Sequence, residues 1–251
     1  MSQAAATAQA AFKIYGSGDG EVRALDGVTI SFDKGKFTAI MGPSGSGKST
    51  LMHCIAGLDS LTSGSVTIGG VDLSGLNDKA LTKLRRDQVG FVFQAFNLIP
   101  TLSAEENIVL PLSLGGQTGD RAWIDKVIDT IGLRDRLDHR PSELSGGQQQ
   151  RVAVARALAS QPSVIFADEP TGNLDSATSD QIHELFFKVN QTRGTTIVIV
   201  THNMQFAGTM PRVVSLRDGR VERDDRNSNS AYGKPKVKAE PAPEPTTEAT
   251  S

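Results

Sequence analysis

Short, uninterrupted apolar runs recur along the chain, and longer segments with helical spacing separate them. Val164–Ala167 and Thr196–Val200 contain no polar alternation, which predicts strands buried on both faces. Val28–Phe32, Phe37–Met41, Ser65–Ile68, Val89–Phe93, Arg212–Arg217 and Arg220–Arg223 read as further strands, and Asp218-Gly219 between the last two is a hairpin signal. From Leu98 to Leu144 the pattern turns helical, most clearly over Ala122–Ile131. Gln148–Ala159, rich in Ala and Arg, predicts another helix. Strands that alternate with helices in this way predict an α/β fold with a parallel core sheet and a mainly helical insert near residues 96–160.

The two ends read differently. Residues 1–10 are Ala, Gln, Ser and Thr around the initial Met, with little to pack, and predict a flexible start. Residues 224–251 are rich in Pro, Glu and small polar residues and have no strand or helix period, which predicts a disordered tail. A folded core over 11–223 is expected between them. The 251 residues contain no apolar run long enough for a membrane span, and the first residues lack the pattern of a secretory leader. One cysteine, Cys54, excludes an internal disulfide framework and fits a reducing compartment. A formal net charge of -2 gives no reason to expect a nucleic-acid partner.

The chemistry concentrates at strand ends. Gly42-Pro43-Ser44-Gly45-Ser46-Gly47-Lys48-Ser49 matches G-x-x-x-x-G-K-[ST] in full, after the strand Phe37–Met41 and at the start of a helix. Such a loop points successive backbone N–H groups at one phosphate, and the helix terminus adds partial positive charge. Lys48 is expected at the β and γ phosphates of a nucleotide, the Ser49 hydroxyl on Mg²⁺ and Thr50 at the α phosphate. Asp168 and Glu169 end the apolar run from Val164, where open α/β sheets bind ligands. Asp168 is placed to hold Mg²⁺, directly or through water, and Glu169 to orient or deprotonate the attacking water. His202 follows the run Thr196–Val200 and can meet the γ phosphate or its water. The four histidines form no zinc spacing, and His53 and Cys54 read as packing in the helix after the phosphate loop.

Leu144-Ser145-Gly146-Gly147-Gln148 resembles the signature of ATP-binding-cassette (ABC) ATPases, and the resemblance covers nearly the whole core with the motifs in the family's order. It implies a P-loop fold of ABC type, with a mainly parallel core sheet, antiparallel N-terminal strands and a helical subdomain. It implies that Tyr15 stacks on adenine and that Gln94 senses the γ phosphate and Mg²⁺ beside a transmembrane partner. Ser145, Gly147 and Gln148 complete the nucleotide site of a second copy, and Asp175, in Asn173-Leu174-Asp175, belongs to the loop crossing the dimer interface. Lys48, Gln94, Glu169 and His202 form the catalytic set, and Ser49, Gln94 and Asp168 the Mg²⁺ set.

Similar proteins form a head-to-tail dimer around two ATP molecules and drive a membrane permease. Tyr15 with the Gly-Ser-Gly after it, Phe93–Leu98 and Asp168–Asp175 resemble the branch of macrolide exporters, lipoprotein-releasing ATPases and the cell-division ATPase. That branch implies a separate four-helix permease and a place at the cytoplasmic face of the plasma membrane. The competing class is a soluble ABC ATPase of DNA repair or translation. A single phosphate loop without a long insert argues against it.

Overall fold

A computed structural model describes residues 3–227. The strands are β1 (Ala4–Tyr15), β2 (Val22–Asp33), β3 (Phe37–Met41), β4 (Ser63–Ile68), β5 (Val71–Asp72), β6 (Val89–Val92), β7 (Val164–Asp168), β8 (Thr196–Val200), β9 (Arg212–Arg217) and β10 (Arg220–Arg226). The helices are α1 (Lys48–Ile55), α2 (Asp78–Gln88), α3 (Ala104–Leu114), α4 (Arg121–Ile131), α5 (Gly146–Leu158), α6 (Ser176–Arg193) and α7 (Met204–Gly208).

Six strands form the core sheet in the order β10-β9-β3-β8-β7-β6. All neighbours are parallel except the β9–β10 hairpin. Because alternate residues face opposite sides, β7 sends Val164 and Phe166 one way and Ile165 and Ala167 the other. Ile165, Ala167, Ile197 and Ile199 pack on the layer containing α3, α4, α5 and α6. Phe166, Val198 and Ile40 pack on α1 through Leu51, Met52 and Ile55. A second sheet, β2-β1-β4-β5, is antiparallel and closes this layer from outside. The expected α/β class, parallel core and antiparallel N-terminal strands are therefore present, and α3, α4 and α5 fall in the segment read as helical.

Both ends of the expected core move outward. β1 starts at Ala4, so the flexible reading of residues 1–10 is corrected from Ala4 onward, and residues 1–2 lie outside the described residues. Ala5, Ala6 and Ala8 are buried, and β1 lies between β2 and β4, with Ala6 opposite both Phe32 and Ile68. Small side chains have little volume of their own, but larger neighbours cover them. At the other end β10 runs through Asp224 and Asp225 to Arg226, three residues into the segment read as tail. Arg212 holds that extension, donating through Nε and Nη2 to the two carboxylate oxygens of Asp224 at 2.7 Å each. Residues 228–251 of the expected tail lie outside the described residues.

Candidate functional site

The phosphate loop joins β3 to α1. Gly47 has a φ of 94°, and a Cβ there would lie 2.3 Å from the Ala24 carbonyl oxygen, so both the turn and the close approach require glycine. Ser46 N–H donates to the Pro43 carbonyl at 3.3 Å, which tightens the curl, and Pro43, Ser44 and Gly45 are exposed at its rim. Lys48 is buried and its Nζ donates to the Pro43 carbonyl at 2.8 Å. Ser46 Oγ is buried without a hydrogen-bond partner. A loop with an orphaned hydroxyl and an ammonium held across its mouth fits an anionic group such as a nucleotide phosphate.

Parallel pairing of β3, β8 and β7 brings the other strand ends beside this loop. Ser49 Oγ donates to Asp168 Oδ1 at 3.1 Å, and His53 Nε2 lies 3.8 Å from Asp168 Oδ2. Burial pushes the Asp168 carboxyl above its ordinary range, against the opposing pull of the Ser49 hydrogen bond. A desolvated carboxylate paired with a serine hydroxyl fits Mg²⁺, which takes one or two protein ligands and completes its shell with phosphate oxygens and water. Among the described residues no cluster of three His, Cys, Asp or Glu residues could hold a metal ion.

Glu169 sits just past β7 with φ 43°, its N–H donating to the Val200 carbonyl at 3.0 Å. His202 Nδ1 lies 3.3 Å from Glu169 Oε2, and the imidazole is exposed. The adjacent ends of β7 and β8 thus bring together a carboxylate and an imidazole separated by 33 residues of sequence.

Tyr15 reaches the same side from the antiparallel sheet. Its hydroxyl donates to Asp59 Oδ2 at 2.6 Å, and Lys13 Nζ lies 2.7 Å from Asp59 Oδ1 and 4.7 Å from the tyrosine ring centroid. Burial and the Asp59 contact push the phenol up to about 12, with the Thr50 hydroxyl acting in the opposite sense. Tyr15 and Thr50 are therefore neighbours, and the phenol stays neutral.

Gln94 follows β6. Its Nε2 donates to Asn173 Oδ1 at 3.5 Å, and Asn173 Nδ2 donates to the Gln94 carbonyl at 3.3 Å. Among the described residues no hydrogen bond joins Gln94 to Ser49 or Asp168. Asp175 caps α6, accepting from Thr178 N at 2.9 Å and Thr178 Oγ1 at 2.7 Å, which holds its carboxyl below the usual range.

The Leu144–Gln148 segment forms the start of α5. Ser145 Oγ accepts from Gln148 N at 3.3 Å, and Gln148 Oε1 accepts from Ser145 N at 2.8 Å, a complete capping box. Ser145 and Gly146 are exposed. Among the described residues no hydrogen bond or ion pair joins Ser145, Gly147 or Gln148 to Lys48, Ser49, Asp168 or Glu169. His53 and Asp59 were not among the expected site residues. The spacing of Ser49 and His53, four apart on one helix, was the available signal for the first, and the contact of Asp59 with Tyr15 had none.

The ABC transporter family profile matches residues 25–172. The chain belongs to the ABC transporter family. It is an ATP-binding ATPase of that family. The lipoprotein-releasing system ATP-binding protein LolD of Geobacter metallireducens is 48% identical over 214 residues, covering 84% of this chain and 95% of that one. The macrolide export ATP-binding/permease protein MacB of Bdellovibrio bacteriovorus is 44% identical over 216 residues, which are 85% of this chain and 33% of MacB. The ABC cassette MJ0796 of Methanocaldococcus jannaschii, solved as a dimer in a post-hydrolysis state bound to ADP and Pi, superposes with a TM-score of 0.81 at 43% identity, covering 88% of this chain and 98% of that one. Among the described residues no helix is long and apolar enough to cross a membrane.

Proposed function

We propose that the chain is the ATP-hydrolysing subunit of an export or mechanotransmitting complex, pairing head-to-tail with a second copy and driving a separate four-helix permease at the cytoplasmic face of the plasma membrane. The observation that carries this reading is the convergence of the expected phosphate, metal and water residues at adjacent strand ends. Lys48, Ser49, Asp168, Glu169 and His202 converge at the adjacent ends of β3, β7 and β8, and among the described residues no hydrogen bond or ion pair joins them to the capped, exposed start of α5. A second copy brings its own Ser145 and Gly147 to this chain's nucleotide. The names of LolD and MacB and the dimer of MJ0796 support the same assignment.

Ser49 and Asp168, with Gln94, would hold Mg²⁺, which would neutralise charge on the phosphates. Lys48 moves its ammonium from the Pro43 carbonyl to the β and γ phosphates. Gly42–Thr50 supplies backbone N–H groups and hydroxyls, and Tyr15 stacks on the adenine. Glu169 orients the water and takes its proton as the new P–O bond forms and the bond to ADP breaks. His202, beside Glu169, contacts the γ phosphate.

Two measurements test this. Glu169→Gln retains ATP binding, lowers steady hydrolysis by about a hundredfold or more and accumulates a dimer on size exclusion. Unchanged turnover removes Glu169 from its role. Purification from native membranes recovers a four-helix permease with the chain. Recovery bound to nucleic acid in the soluble fraction would instead favour the repair or translation class.

A further inference from the structure

The 3.3 Å approach of His202 to Glu169 depends on two loops that belong to different strands. Glu169 opens a turn closed by Gly172 N–H on the Glu169 carbonyl at 3.0 Å and by Leu174 N–H on the Thr171 carbonyl at 3.1 Å. His202 precedes α7, whose first turn is capped by Asn203 Oδ1 accepting from Phe206 N at 2.9 Å. One side chain touches both loops from behind. His183, on α6, is 4% exposed. Its Nε2 lies 3.2 Å from Thr171 Oγ1, and its ring stacks on Phe206 with centroids 3.4 Å apart and planes at 10°. The helix that carries it is fixed in the core by Ile182, Leu185, Phe186 and Val189, so His183 projects from a rigid support.

We infer that His183 is a positioning residue for hydrolysis, holding the turn that carries Glu169 and the helix behind His202 at a set spacing. The inference rests on the reading of Glu169 and His202 as the hydrolytic pair. His183 touches neither of them and acts through Thr171 and Phe206. Both contacts suit a neutral imidazole, which stacks face to face on an aromatic ring and shares one hydrogen bond with a hydroxyl. Burial keeps it neutral by pushing its pKa to about 4, against the upward pull of Asp180.

The test is a double-mutant cycle in the full chain, read as steady-state ATP hydrolysis. His183→Phe keeps the aromatic stack and removes the ring nitrogen, while Thr171→Val removes the hydroxyl at nearly constant shape. Each lowers kcat about fivefold, the size of one hydrogen bond, with KM for ATP unchanged when assayed well below the melting temperature, which itself falls by a few degrees because each single variant strands a buried or part-buried polar partner. The double variant is no worse than either single one, because both remove the same contact. His183→Gln, whose amide can still meet Thr171, recovers part of the loss. Wild-type kcat in both single variants, losses that multiply in the double variant, or a change in KM alone would each overturn the role of His183. Should His183→Phe fail to fold, Thr171→Val and His183→Gln carry the test. Glu169→Gln, run alongside, separates the two failures: if it loses turnover while the cycle is silent, only the role of His183 falls.

Discussion

Gly147 is the position where the fold and the sequence make opposite demands. It is the second residue of α5, where alanine in place of glycine ordinarily helps a helix by up to about 1 kcal/mol. A Cβ at Gly147 would lie 2.4 Å from Thr178 Cγ2, more than 1 Å inside ordinary carbon contact. Thr178 is not free to turn away, because Asp175 holds its hydroxyl at 2.7 Å and its N–H at 2.9 Å. Rotating the methyl aside gives up the hydroxyl bond to the Asp175 carboxylate, and not rotating it forces the backbone of α5 or α6 to shift. Overpacking of this kind costs about 1–3 kcal/mol, so Gly147→Ala is expected to destabilise the fold by about 1–2 kcal/mol after the helical gain is subtracted. In a chain of this size that lowers the melting temperature by roughly 2–8 °C. Thr178→Ser keeps the hydroxyl on Asp175 and deletes the offending methyl. In that background Gly147→Ala is neutral or stabilising by up to about 1 kcal/mol. Thermal melts of the four proteins decide the matter. Equal destabilisation in both backgrounds, or none in the wild-type background, refutes the clash as the reason for glycine.

Three further predictions concern other contacts. Ser145→Asp retains an N-cap and so leaves the melting temperature nearly unchanged, yet under the proposed head-to-tail pairing its negative charge would face phosphate and lower hydrolysis by about a hundredfold; wild-type turnover would separate Ser145 from the nucleotide. Asp224→Ala leaves the buried Arg212 guanidinium without its carboxylate and costs about 1.5–3 kcal/mol in urea unfolding, whereas a true tail residue would cost nothing. His183, with its pKa at about 4 in the fold against 6.5 when unfolded, binds its proton more readily in the unfolded chain. Stability contributed by the neutral imidazole therefore falls as pH drops from about 6.5 to about 4, by up to about 3 kcal/mol; urea midpoints across this range show a shallower slope in His183→Phe, and identical slopes would refute the assignment.

Legibility in the sequence followed how local each signal was. The apolar runs of β7 and β8 are unbroken because both faces of those strands are covered, so burial is written directly into residue type. The phosphate loop was legible because a close backbone approach to an anion admits only a particular order of glycines, lysine and serine. β1 was not, because Ala5, Ala6 and Ala8 are apolar only in the company of Phe32 and Ile68 from other strands. The last three residues of β10 were not, because an exposed edge rich in Arg and Asp has the composition of a tail until Arg212 pairs with Asp224.

The sequence by itself determined which residues can handle phosphate, metal and water, since those roles depend on side-chain chemistry at the ends of identifiable strands. Only the tertiary structure decided which of them meet. Pairing of β7 with β8 placed Glu169 beside His202, and packing of α6 against α7 brought His183 to Phe206 and Thr171. Gly147 needs to be glycine because Asp175, 28 positions later, holds Thr178 against it. Contacts of that range are set by packing, and no periodicity within one segment encodes them.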